Sequence, residues 1–287
     1  MKKNFNFITI FLLLAFSVLL FSGCDSFFGW LFEDTNETEG NNNNNGNNNS
    51  GNNNNGSNNP AGSVEPLTTS KWSQGSPYND LFPMVNGSRS VTDCGNLALA
   101  QIIRFHQYPV SGTGQSTSVR INSDTLTVPT VNFNVKYDWN NMLDSYTTAN
   151  PGSAQQRNAA ATLVYHVSAA VGDNTATGHT HPRNYAAALT GIFGYDKSIQ
   201  IHYRMYYNDN DWEAMIRQQL DLGLPVYYWG RRDNGTHAFV VEGYDNTGKF
   251  HINWGWSGRD NGWFTLNNLN PPSTGHYYFG HLIITNI

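Results

Sequence analysis

Cysteine is almost absent from this chain, which carries only Cys24 and Cys94 in 287 residues. A framework of disulfides is therefore excluded as the source of its stability. Charge is sparse as well: the formal net charge is -5, and Lys and Arg are scattered without a basic stripe interleaved with aromatics. That excludes a nucleic-acid surface. No internal repeat of solenoid or propeller length is present. A His-Thr-His pair at His179 and His181 lacks a third ligand, so it reads as surface or substrate contact and no metal site is expected. The one long apolar run, Phe7 to Phe21, is short for a membrane span.

That run is informative in another way. Lys2 and Lys3 precede it and Ser22-Gly23-Cys24 follow it, the charged, apolar and small-residue order of an export signal. The ending resembles a bacterial lipoprotein signal, so residues 1–23 are expected to be removed and Cys24 to be lipidated. An uncleaved anchor or a plain signal peptide are the other readings. Each places the remainder outside the cytoplasm, in the cell envelope, held at the membrane or released from it. Within residues 24–66, the stretch from Gly40 to Asn59 is almost entirely Asn, Gly and Ser, which cannot bury enough apolar surface to offset ordering. Residues 24–66 read as a tether with a root-mean-square reach of roughly 35 Å.

From Leu67 the composition becomes mixed. With 39% hydrophobic and 14% aromatic residues in the whole chain, residues 67–287 can build one sizeable core. Asp93 is placed to cap a helix from Cys94 towards His106, with Pro109 beyond its end and His106 favoured there by the dipole. Helical spacing predicts further helices over Ala154–Val171, Pro182–Phe193 and Asp211–Leu222. After Pro225, short runs rich in Val, Tyr, Phe and Trp predict antiparallel strands: Val226–Trp229, His237–Tyr244, Phe250–Trp254, Trp263–Leu266 and Tyr277–Thr285. Helices followed by such a sheet make an α+β architecture.

Within that frame one constellation carries chemistry. A thiol attacks as thiolate, and a helix N-terminus such as that expected at Cys94 stabilises the anion. An imidazole must hold the thiolate and later protonate the leaving amine; His237, far downstream at the head of a strand, suits this. Asn253 on the next strand is placed to fix the ring, Trp254 and Trp256 to shield it. The Cys94 amide and the Gln74 side chain can donate to a developing oxyanion. Each residue also has a plain reading: Cys94 as a small buried apolar group, His237 as a satisfied core histidine, Asn253 as a strand-end turn residue and Gln74 as surface.

The residues together resemble the streptopain family of papain-like bacterial cysteine peptidases, from about Lys71 to Pro271. The likeness is carried by Trp72-Ser73-Gln74, Thr92 with Cys94, Ala100-Gln101-Ile102-Ile103, His106-Gln107-Tyr108-Pro109 and Tyr137-Asp138-Trp139. It continues through Pro225-Val226-Tyr227-Tyr228, His237-Ala238-Phe239-Val240 and Asn253-Trp254-Gly255-Trp256. The resemblance implies a papain-like fold with the nucleophile at a helix N-terminus packed on an antiparallel sheet. It implies peptide-bond hydrolysis in protein substrates, with an apolar residue preferred one place before the scissile one. Cys94 becomes the nucleophile, His237 the base, Gln74 the oxyanion donor, and Asn253 with Trp254 the groups that orient and cover the imidazole. No metal or organic cofactor is implied.

Three differences from the family stand out. The Asn/Gly tether occupies the place of a folded inhibitory propeptide. Asp93 replaces the glycine before the nucleophile, and its charge opposes thiolate formation unless it turns away to cap the helix. The tail after Asn270 lacks a long Gly-rich loop. Two other functions are therefore carried alongside the endopeptidase: a surface binding or adhesion module on a protease-like fold, and another thiol-dependent acyl transferase or amidase. The Trp and Tyr richness of the last third reads mostly as core and strand pairing, with a carbohydrate-binding face of Trp229, Trp256 and Trp263 as the other reading.

Overall fold

The structure is a computed structural model and describes residues 62–121, 124–173 and 181–287. The segment 1–23, Cys24, most of the tether and His179 lie outside the described residues. In chain order, the hairpin β1 (Met84–Val85) and β2 (Ser88–Arg89) precedes α1 (Cys94–His106). A longer hairpin, β3 (Gln115–Ile121) and β4 (Asp124–Asn132), leads to α2 (Ala154–Asp173) and α3 (Pro182–Gly191). Then follow β5 (Gln200–Tyr203), α4 (Asp209–Asp221), β6 (Val226–Arg232), β7 (Gly235–Tyr244), β8 (Phe250–Asn253), β9 (Gly262–Phe264) and β10 (Phe279–Thr285).

The last six strands form one antiparallel sheet in the order β5-β10-β6-β7-β8-β9. Side chains alternate across a strand, so this sheet feeds two cores. Tyr227, Trp229, Ala238, Val240, Leu282 and Ile284 face the helical layer of α1, α2 and α3. Their neighbours Val226, Tyr228, Phe239, Val241 and Ile283 face α4, which contributes Trp212, Ile216 and Leu220. At roughly 2 to 3 kcal/mol for each large apolar side chain buried, both faces hold the sheet firmly.

Helix α1 is the central element. Every residue from Cys94 to Ile103 is buried, as expected for a helix enclosed on all sides. It starts where its cap requires: Asp93 has extended backbone, and its Oδ1 accepts the Gly95 N–H at 2.9 Å. It ends at His106, followed by Gln107 in the left-handed region. Helix α4 begins earlier than its spacing predicts, because Asn208 caps it by accepting the Asp211 N–H at 2.9 Å.

An extended strap at the start of the described region crosses both layers. Val64 exchanges backbone hydrogen bonds with Tyr244 at 2.8 and 2.9 Å, three residues ahead of Leu67. Leu67 N donates to Glu242 O at 2.7 Å, Thr68 Oγ1 donates to the buried Glu242 carboxylate, and Trp72 Nε1 donates to Leu143 O at 2.9 Å. Among the described residues, no helix is long and apolar enough to cross a membrane.

Candidate active site

Cys94 is the first residue of α1 and only 3% exposed, in the apolar cluster that also holds Trp229 and Ala238. Ala238 is the chain neighbour of His237, so the head of β7 borders the same cluster. The helix also touches the segment after β8. Gly255 has a φ of 73°, a region favouring glycine, and a Cβ there would lie 3.0 Å from Leu97 Cδ2, one turn beyond Cys94. Trp254, immediately before Gly255, is the residue that holds the imidazole.

His237 is 6% exposed, and its Nε2 donates to the Trp254 carbonyl oxygen at 2.8 Å. That bond fixes the ring through one nitrogen. Among the described residues Nδ1 takes no hydrogen bond. Trp256 lies nearest the ring, with centroids 4.7 Å apart, and Trp254 stacks on Trp256 at 5.6 Å. Tyr277 and Phe239 complete the aromatic enclosure at 5.9 and 6.1 Å. Burial pulls the imidazole down to about 4, opposed by the Trp254 carbonyl and reinforced by the Arg232 cation. Without a nearby anion the ring is therefore neutral at neutral pH.

Asn253 was expected to fix that ring, and its side chain goes elsewhere. Its Nδ2 donates to Ser70 O at 2.7 Å and lies 3.3 Å from Gln101 Oε1, while its Oδ1 accepts the Gly255 N–H at 3.1 Å. The reason is strand parity. Asn253 pairs with Val240, on the face opposite that of Phe239 and His237. A backbone carbonyl one residue along orients the imidazole in its place.

Gln74 is half-buried, and its Nε2 donates to Thr92 O at 2.6 Å, while Thr92 N donates back to Gln74 O at 3.2 Å. This double tie sets the Gln74 amide two residues ahead of Cys94 and leaves one of its two N–H groups for another acceptor. Trp254 is fully buried and Trp256 nearly so, consistent with water exclusion around the imidazole. The carbohydrate face is not formed: Trp229 and Trp256 are buried, and only Trp263 is open, at 38%. His181 caps α3, its Nδ1 accepting the Arg183 N–H at 3.1 Å. Among the described residues no cluster of three or more potential metal ligands occurs.

Fold and site together define a class, the papain-like cysteine peptidase fold of α+β type. The model of the Peptidase C10 family matches residues 72–264. Streptopain of Streptococcus pyogenes is 33% identical over 236 residues, which cover 74% of this chain and 58% of streptopain. The thiol protease/hemagglutinin PrtT of Porphyromonas gingivalis is 34% identical over 207 residues, 71% of this chain and 24% of PrtT. The solved structure of active wild-type Prevotella intermedia interpain A cysteine protease superposes with a TM-score of 0.68 at 30% identity, covering 79% of this chain and 96% of that one. This chain belongs to the streptopain, or Peptidase C10, family, and it spans less than two thirds of the length of streptopain.

Proposed function

We propose that this protein is a cysteine-type endopeptidase that cleaves protein substrates outside the cytoplasm, tethered to a membrane by lipid on Cys24. The observation that carries the reading is a cysteine at the N-terminus of a buried helix beside a strand whose imidazole is oriented through Nε2 alone. That leaves Nδ1 to take the Cys94 proton. The thiolate then supplies the anion that the buried imidazole lacks, and the pair becomes thiolate and imidazolium. Attack on a peptide carbonyl forms the Sγ–C bond and places charge on oxygen, where the Cys94 N–H and the remaining Gln74 N–H donate. Imidazolium returns its proton to the leaving amine, and water activated by the same ring releases the acyl group. No metal or cofactor enters these steps.

Export and lipidation rest on the sequence order around Cys24. The substrates proposed are extracellular or periplasmic proteins. A second reading, a protease-like module that binds without cleaving, draws on the burial of Cys94 and His237.

One comparison separates the two. The full chain is incubated under reductant with an unfolded protein, with and without prior alkylation, alongside Cys94→Ala. The endopeptidase reading expects cleavage by the untreated protein and none by the alkylated protein or the variant. Cleavage that survives loss of Cys94 would refute it, and the absence of any cleavage by the untreated protein favours the binding module.

A further inference from the structure

The residue before the nucleophile is built into a cluster that the catalytic steps above do not use. Two phenols close on Gly95 from opposite layers: a Cβ there would lie 2.2 Å from the Tyr185 hydroxyl oxygen of α3 and 2.7 Å from that of Tyr227 on β6. Both hydroxyls converge on that point, and the two rings stand 5.2 Å apart. Only glycine fits beside Cys94 under these groups. The Asp93 carboxyl meets the same residue from the other side by taking its N–H.

Charged and titratable groups reach Asp93 from each surrounding layer. Tyr185 faces it from α3, Tyr227 from β6 and Arg120 from β3. From α2, the neutral Ser168 hydroxyl lies 3.2 Å from the Oγ1 of Thr92, the residue before Asp93. Arg120 is 2% exposed, and its Nε and Nη1 have no hydrogen-bond partner among the described residues, so its charge is held there at a desolvation cost. Burial pushes the Asp93 carboxyl up to about 6 against the Gly95 amide and Arg120. His237 lies outside this group; its charged neighbour is Arg232. Asp93 adjoins Cys94 in the chain, on the sulfur side of the pair.

We propose that Asp93 is a positioning residue for the nucleophile: it holds the first turn of α1 around Cys94 and, while ionised, disfavours the thiolate. The inference rests on the reading of Cys94 as the nucleophile. Because the Asp93 carboxyl ionises at about 6, its effect on Cys94 sets in as pH rises through that value.

The test uses the full chain under a phosphine reductant. The rate at which iodoacetamide labels Cys94 is followed by peptide mass between about pH 4 and 9. Asp93→Asn keeps the capping oxygen and removes the charge. Its profile is expected to move lower, labelling Cys94 several-fold faster between about pH 6 and 7, where Asp93 is ionised in the wild type. Asp93→Ala removes cap and charge together, and its peptide hydrolysis is expected to fall below that of Asp93→Asn. A profile for folded Asp93→Asn that superposes on wild type overturns the proposal. Where circular dichroism finds that variant unfolded, Asp93→Ser, which also keeps a capping oxygen without the charge, takes its place: faster labelling of Cys94 supports the proposal and a profile that superposes on wild type overturns it. A wild-type protein that labels as expected yet cleaves no peptide refutes the endopeptidase reading while the role of Asp93 stands.

Discussion

Gln74 and His237 are held by opposite strategies, and each has a measurable consequence. Gln74 spends one donor on the Thr92 carbonyl to fix its position and keeps the other. Gln74→Ala is expected to lower kcat by about a hundredfold or more with little change in KM, since the amide acts on charge that develops only in the transition state. Steady-state kinetics on a defined peptide checks this; a KM effect alone would make Gln74 a substrate contact. His237 spends Nε2 on a carbonyl. The residue types Cys, His and Gln were legible in the sequence as candidates for these roles. The group that orients the imidazole was not, because a backbone carbonyl has no sequence signature and because the face of Asn253 is set by its register against Val240.

Among the elements, the strap from Val64 to Trp72 explains what Asn253 does. Asn253 donates to Ser70 O, Ser70 Oγ donates to Gln101 Oε1 at 3.0 Å, and Glu242 takes the Thr68 hydroxyl and lies 2.9 Å from His251 Nδ1. Strap, α1, β7 and β8 are joined by this buried polar network, in which a lost partner strands the others without water. Asn253→Ala is expected to cost about 1 to 3 kcal/mol of stability in urea denaturation while leaving the orientation of His237 intact. A loss of kcat by orders of magnitude at unchanged stability would restore Asn253 to the imidazole. The helices α1 and α4 were legible from their apolar spacing, and β6 to β8 from Val, Tyr and Phe bounded by turns. The hairpin β3–β4 was not. Its strands are rich in Ser and Thr, β4 contains Pro129, and the register shifts between Ser116 and Ser118, all of which blur a period of two.

For the whole molecule, two buried imidazoles outside the catalytic pair set the response to acid. His166 and His281 are each pulled down to about 4 by burial. The unfolded chain binds protons at these positions from about 6.5 downwards while the folded chain does not. Their contribution is therefore complete above that pH and lost as pH falls from about 6.5 towards 4, on the order of 2 to 3 kcal/mol each. Asp93 works the other way: with its carboxyl pushed up to about 6, its contribution is lost as pH rises through that value. Two groups outweigh one, so Tm is expected to drop by roughly 5 °C or more between about pH 7 and 4.5 in thermal unfolding. A flat or rising Tm would mean that these rings meet water or an anion in the folded state. The α+β architecture at this scale followed from the order of helices then strands, whereas the second core under α4 and the attachment of the strap depended on strand parity and on backbone pairing at Val64 that composition does not encode.

All of the chemistry depends on the sulfur of residue 94 and the ring of residue 237 acting on one another. The direct measurement is the rate at which iodoacetamide labels Cys94 near pH 6.5 in wild type and in His237→Ala, both shown to be folded. Loss of the imidazole is expected to slow labelling about tenfold or more, because the thiolate loses the cation that stabilises it. Equal rates in the two proteins would contradict the account.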